Sequence, residues 1–296
     1  MSSNQVAIIG QTASGKTALA VELATKLDAV ILSLDSLSVY KEIDIASAKP
    51  KRQILEQIKH FGINEIFVNE HFSVMDFLDL YKKARAYAKK KPLIIVGGTS
   101  FYLKVLIDGI SIMPPLKNKD QIQDLMQDLK KAYEFLKNKD PLIAQKILPN
   151  DAYRIKKAIS IILSTGDLAS RWFKENPPQK IVPDLELFCI EVPKEELVKN
   201  INLRTEEMFE QGLIDEACFL ERKYSQNLKA LQSIGLKEVY EYLNGKISLS
   251  QCKELVKIHT RQLAKRQDTF NKSQFSGVKR LEKDRILKEI YAYLRF

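Results

Sequence analysis

The chain has 296 residues, 45% of them hydrophobic, enough for one large domain or a core with a smaller second unit, and for a core that folds without covalent staples. Cys189, Cys218 and Cys252 stand far apart with no CxxC or Cys/His cluster, and His60, His71 and His259 are the only imidazoles, which argues against a zinc site, a disulfide framework or a multi-histidine metal centre. Forty-seven Lys and Arg against 37 Asp and Glu give a formal charge of +10, which points to a polyanionic partner, with a Lys-rich solvated surface as the plain alternative.

Residues 5–9 form a short apolar run, followed by a glycine loop and an amphipathic stretch over 16–27, the signature of strand, loop and helix. The apolar run 29–34 reads as a second strand ending at Asp35. A helical stretch over 74–90 precedes a third strand, 93–96, stopped by Gly97-Gly98. Short apolar strands alternating with helices predict an α/β fold with a parallel sheet covered on both faces and ligands at the carboxyl ends of the strands. The pattern changes at Pro114-Pro115. From there to Pro183 helical periods such as 120–138 and 151–164 occur without a convincing strand, and Pro177-Pro178 closes the stretch. An inserted all-helical domain over 114–183 is expected, leaving 1–113 and 184–296 as the core. The apolar run 185–192 returns the chain to the sheet, and the remainder reads as helix to Phe296. No apolar run approaches the roughly 20 residues of a membrane span, and the N-terminus enters a strand with no room for a secretory leader, so no membrane partner and a cytoplasmic location are expected, with all three cysteines reduced and buried.

The strongest local signal is Gly10-Gln11-Thr12-Ala13-Ser14-Gly15-Lys16-Thr17, a full P-loop pattern between a strand and a helix. Backbone amides at a helix N-terminus cradle phosphate there; Lys16 neutralises its charge and the Thr17 hydroxyl ligates Mg²⁺. Asp35, at the end of the second strand, faces such a substrate as a proton acceptor, or caps the chain that follows; the two roles are compatible. Gly97-Gly98-Thr99 lets backbone and a hydroxyl approach a ligand, or is simply a turn. Near the C-terminus Lys253, Lys257, Arg261 and Lys265 recur every four residues on one face, with Arg266 and Lys272 beside them; they form a polyanion-binding stripe or a solvated face. Cys252, Leu255, Val256, His259 and Leu263 lie opposite, with His259 read as a packed core histidine.

Together these segments resemble the tRNA dimethylallyltransferase family over nearly the whole chain. The resemblance rests on the P-loop, on Asp35-Ser36-Leu37-Ser38-Val39-Tyr40 with 44–50, on 96–103, on Asn150-Asp151 with Arg154, on Arg204 with Met208 and Gly212-Leu213, and on 233–238 with 260–267. It implies a P-loop NTPase-like core that transfers a dimethylallyl group from its diphosphate to N6 of the adenosine 3′ to the anticodon of tRNA. The P-loop then holds a diphosphate leaving group with Mg²⁺ on Thr17. Lys16 and Arg204 stabilise the growing charge, Asp35 takes the amine proton, and Thr99 sits between amine and leaving oxygen. It further implies a flipped base read by Asp35, Ser36, Leu37, Ser38 and Thr99. Arg154 and Lys157 of the insert and Lys257, Arg261, Lys265 and Arg266 of the core would lie on an anticodon stem-loop held by a monomer. The chain departs from the family's usual residues at Ser38 (glutamine), Lys41 (arginine), Ala46-Ser47 (Gly-Thr), Ser100 (often glycine) and Phe270 (tryptophan); Tyr153 and Lys157 vary the insert, and the double histidine near His60 is not intact. The rivals are a small-molecule P-loop kinase, which predicts ATP turnover, and an RNA-binding switch that senses nucleotide without forming product.

Overall fold

The computed structural model describes residues 4–294. A six-stranded sheet has the order β3-β2-β4-β1-β5-β6, where β1 is Gln5–Gly10, β2 Val30–Ser33, β3 His60–Phe61, β4 Leu93–Val96, β5 Glu186–Ile190 and β6 Lys279–Leu281. Every neighbouring pair is parallel, as apolar runs buried on both faces require. Lys16–Leu27 and Lys283–Leu294 cover one face, where Leu19, Leu23, Ile286 and Ile290 pack on Val6, Ile8, Ile94 and Phe188. Val74–Ala88 packs against β2 and β4 and buries Phe77, Leu78, Tyr81 and Ala84. Its start is fixed by a capping box between Ser73 and Asp76.

Register sets the site. Ile8 and Ser33 both pair with Val96, so β1, β2 and β4 end level and deliver Gly10, Asp35 and Gly97 to one rim, the place where parallel sheets bind ligands. The rim is then sewn shut: Leu34 N–H donates to Val96 O (2.7 Å), Gly97 N–H to Ile8 O (3.2 Å) and Thr99 N–H to Leu34 O (2.8 Å).

The remainder after β5 is not all helix. Lys194–Glu210, Leu213–Lys223, Leu236–Leu243 and Leu249–Gln274 are followed by β6, whose Lys-Arg-Leu carries no apolar alternation; the pairing is made by the neighbour, with Lys279 held by Glu186 (2.7 Å). The two residues of β3 are too few to show a period in the sequence. The expected helix over 120–138 divides into Lys119–Met126 and Leu129–Lys139, because Asp128 caps the second by accepting from Lys130 and Lys131 N–H.

The chain separates into two compact units, residues 1–107 with 182–296, and residues 108–181. The second is all helical and has its own core, in which Ile122, Leu136, Ile155, Ile159 and Ile162 are buried. Its N-terminal limit lies ahead of Pro114: Trp172 Nε1 donates to Ile112 O (2.9 Å), and a Cβ on Gly109 would collide with the Gln179 backbone. Its C-terminal limit lies ahead of Pro183, since Val182 N–H donates to Leu106 O (2.9 Å).

Candidate active site

The P-loop turns where the sequence places it. Gly10 and Gly15 have φ of 152° and 84°, conformations that a side chain would strain, and a Cβ on Gly10 would press on Ser14 Oγ and Ile190 O. Lys16 is 8% exposed and its Nζ donates to Gln11 O at 2.5 Å. Burial, reinforced by the Arg204 guanidinium and opposed by Asp35, holds its ammonium down at about 8. Arg204 donates to Thr12 Oγ1 (3.3 Å), and burial lowers its pKa too. Two partly desolvated cations thus meet at one loop, Lys16 at its end and Arg204 reaching it from the helix Lys194–Glu210, an arrangement that costs stability until an anion arrives. The loop borders two cavities, one of about 510 Å³ and one of about 1140 Å³, and Lys16, Thr17 and Arg204 line both.

The smaller cavity gathers the sequence candidates. Thr12, Lys16, Thr17, Asp35, Ser36, Leu37, Ser38, Thr99, Arg204 and Arg266 all line it. Asp35 Oδ1 accepts from Leu37 N–H (2.8 Å) and Ser38 N–H (3.2 Å), so the residue does cap the turn that follows, while Oδ2 takes no part in that turn. Thr99 Oγ1 accepts from Ser36 N–H at 3.1 Å, which fixes its hydroxyl beside the Asp35 turn.

Several expectations change. The cationic face of the long helix Leu249–Gln274 is not open: Glu206 takes both Lys253 (2.6 Å) and Lys257 (2.7 Å), and Arg261 pairs with Glu254 (3.0 Å). Lys257 and Arg261 are therefore committed within the protein, whereas Lys265 and Arg266 are exposed. His259 is not a packed core histidine; its Nδ1 meets Glu238 Oε1 at 2.6 Å, and Glu238, 2% exposed, also accepts from Gly235 N–H (2.7 Å). Cys189 and Cys252 are buried and Cys218 only partly so; all are free thiols. Not every P-loop amide faces a phosphate site, because Thr12 N–H donates to Gln267 Oε1 at 2.7 Å. Arg154 and Lys157 lie on Ala152–Thr165 of the helical unit, Arg154 beside Asp151 (3.4 Å) and Lys157 over the Tyr153 ring (4.9 Å).

Other residues at the site carried no signal of their own. Glu216 accepts the amides of Asp44, Ile45 and Ala46 at 2.7, 2.7 and 2.9 Å and so shapes the wall that includes Ala46 and Ser47. Lys49, in the cavity wall, is spent on Tyr40 O, Asp44 and Asn64. Gln267 was visible only as part of the segment 260–267.

A parallel sheet with a P-loop at its rim, and with two desolvated cations and a carboxylate lining one cavity, defines a protein of the P-loop fold class. Residues 38–274 match the family model described as IPP transferase. The chain is 51% identical over 270 residues, 91% of its length and 92% of the relative's, to a tRNA dimethylallyltransferase of Nautilia profundicola, and 49% identical over 285 residues to that of Campylobacter jejuni subsp. jejuni, covering 96% and 95%. Among solved structures it resembles a tRNA isopentenylpyrophosphate transferase from Staphylococcus epidermidis (32% identity, 98% of each chain, TM-score 0.67). It also resembles a eukaryotic dimethylallyltransferase acting on tRNA (30% identity, 91% of this chain and 70% of that one, TM-score 0.77). The chain belongs to the IPP transferase family, and with that the kinase and nucleotide-switch readings lose their footing.

Proposed function

We propose that this protein transfers a dimethylallyl group from dimethylallyl diphosphate to N6 of the adenosine 3′ to the anticodon in tRNA, releasing diphosphate. The observation that carries the reading is the meeting of Lys16, Arg204, Asp35 and Thr99 in one cavity. As the allylic C1–O bond breaks, negative charge grows on the diphosphate, and Lys16 and Arg204, already desolvated, stabilise that charge more than they stabilise the intact donor. N6 attacks C1 and its proton passes to Asp35 Oδ2, while the Thr99 hydroxyl bridges amine and leaving oxygen. The carboxylate serves as base because its other oxygen is locked in the turn, which aims the free one.

Among the described residues no group of three or more His, Cys, Asp or Glu could hold a metal; the Thr17 hydroxyl in the cavity wall suits Mg²⁺ once a diphosphate brings negative charge, because that ion keeps several waters and takes phosphate oxygens as ligands. Held by Thr17, that ion would supply further neutralisation of the leaving group. The target base enters flipped out of its stack and is read by Ser36, Leu37 and the Asp35 turn. Lys265, Arg266, Arg154 and Lys157 hold the anticodon stem-loop by its phosphates, with one protein copy per tRNA in the cytoplasm. Among the described residues no helix is long and apolar enough to cross a membrane.

The test is mass spectrometry of nucleosides from unmodified tRNA incubated with the protein, Mg²⁺ and dimethylallyl diphosphate, beside an ATP control. N6-prenylated adenosine formed only with the allylic donor is the expected result. ATP consumed with a small acceptor, and no prenylated nucleoside over a panel of tRNAs, would reverse the reading.

A further inference from the structure

The side chain of Gln267, on the long helix Leu249–Gln274, reaches two loops at once. Its Oε1 accepts from Thr12 N–H of the P-loop (2.7 Å) and its Nε2 donates to Gly98 O of the Gly97–Thr99 loop (3.2 Å). One turn earlier the same helix receives Gln11 Nε2 on Ala264 O (3.3 Å). Gly98 is shaped to this contact. Its φ is one that any residue adopts, yet an added Cβ would be driven into Gln267, which supplies the three nearest atoms it would meet. The two loops belong to different strands, β1 and β4, which Gly97 N–H to Ile8 O (3.2 Å) joins at the rim; beyond that bond the Gln267 side chain links Thr12 of one loop to Gly98 of the other.

We infer that Gln267 is a positioning residue for the transfer: its amide clamps the P-loop to the Thr99 loop and so fixes the gap between the leaving diphosphate and the acceptor amine. The inference rests on the reading given under Proposed function. The P-loop carries the donor and Thr99 stands at the acceptor, and a near-attack separation of about 3–3.5 Å between reacting atoms tolerates little slack. A loosened clamp leaves both binding sites built from their own residues and lets water compete for C1. Water then attacks C1, diphosphate leaves, a proton goes to solvent, and dimethylallyl alcohol forms in place of prenylated adenosine.

The experiment measures transfer kinetics, the ratio of dimethylallyl alcohol to prenylated adenosine, and melting temperature, for wild type, Gln267→Ala, Gln267→Glu, Gly98→Ala and the Gln267→Ala/Gly98→Ala pair. Gln267→Ala is expected to lower kcat on the order of 100-fold with KM for both substrates within about twofold, and to raise the alcohol ratio at least about tenfold. Gln267→Glu, which keeps an acceptor for Thr12 N–H but sets a carboxylate against Gly98 O, carries the test if the alanine variant does not fold. Gly98→Ala evicts the Gln267 side chain and should reproduce the defect, yet add nothing in the Gln267→Ala background. Unaltered kcat and alcohol ratio, defects of Gly98→Ala and Gln267→Ala that multiply, or loss of activity that only follows a fall in melting temperature would each overturn the clamp. Failure of wild type itself to form prenylated adenosine would instead strike the function on which the inference rests.

Discussion

Replacing Lys16 by Met should make the protein inactive and more stable. The side chain is 8% exposed, and its ammonium is lowered from 10.5 to about 8, with burial the largest cause and Arg204 the next. A fall of that size corresponds to about 3 kcal/mol of stability withheld at pH 7. That figure is an upper bound for the gain, because Lys16→Met also strips Gln11 O of its 2.5 Å donor. The sign of the pH dependence follows. Below pH 8 the lysine is charged in both folded and unfolded states and the full cost is present. Between about 8 and 10.5 the unfolded chain binds the extra proton, so wild-type stability rises with pH relative to the variant. Burial also raises the pKa of Cys252 and Tyr102, which pulls the other way in both proteins and cancels in the difference; Cys189, also raised by burial, feels the Lys16 charge and rises further in the variant, which adds to the narrowing at high pH. Urea unfolding of both at pH 7 and pH 9.5 measures that difference. It should favour Lys16→Met at pH 7 and shrink by more than half at pH 9.5. A variant less stable than wild type at pH 7, or a difference that does not move with pH, would refute the claim that this cation is held at a cost the diphosphate later offsets. In the same window kcat/KM for the allylic donor should fall with pH above about 8, since it reports the free enzyme's ionisation.

Asp35→Asn keeps an oxygen for the Leu37 and Ser38 amides but no longer takes a proton. The melting temperature and tRNA affinity should hold while kcat drops about 10²–10⁴-fold; a rate within tenfold of wild type in single-turnover assays would remove Asp35 from that role. Lys265→Glu with Arg266→Glu should flatten the salt dependence of tRNA binding by about one to two units of log Kd per log salt. Neutralising Lys253 or Lys257, already shared with Glu206, should change it by less than about 0.3. Equal slopes for all three variants, read by filter binding over a salt series, would restore the whole stripe as the RNA contact. Glu216→Ala strands three backbone amides and should cost roughly 2–4 kcal/mol in urea unfolding; a loss under about 0.5 kcal/mol would show that water replaces the carboxylate.

What could be read from the sequence was whatever a segment makes with its own neighbours. The P-loop is a local object of glycine dihedrals and a following helix, and Asp35 forms its turn with residues two and three places on; both stand where the pattern put them. The cationic stripe is the opposite case. Its four-residue spacing is real, but the charge it presents depends on Glu206, from a helix some 50 residues earlier in the chain. No period reveals that partner. The same holds for Glu238 against His259, for the edge strand β6 whose pairing is supplied by β5, and for Gln267, which looks like any polar helix residue until Thr12 and Gly98 are brought to it.

Ser38 shows how this distinction bears on specificity. It stands where the resemblance leads one to expect a glutamine. Here it is 4% exposed, its hydroxyl lying 3.1 Å from Ser33 Oγ and 3.4 Å from both Asp35 O and Gly62 O. A short side chain already engaged with the loop frame has little hydrogen-bonding capacity left for a base edge. If the acceptor pocket discriminates between bases, that discrimination falls to groups whose partners are not exhausted within the wall. Asp35 Oδ2 is one. The Ser100 and Ser233 hydroxyls are others, both lining the cavity and both buried without a hydrogen-bond partner. Since a buried hydroxyl left unpaired is costly, these two positions are where a ligand's polar edge gains most.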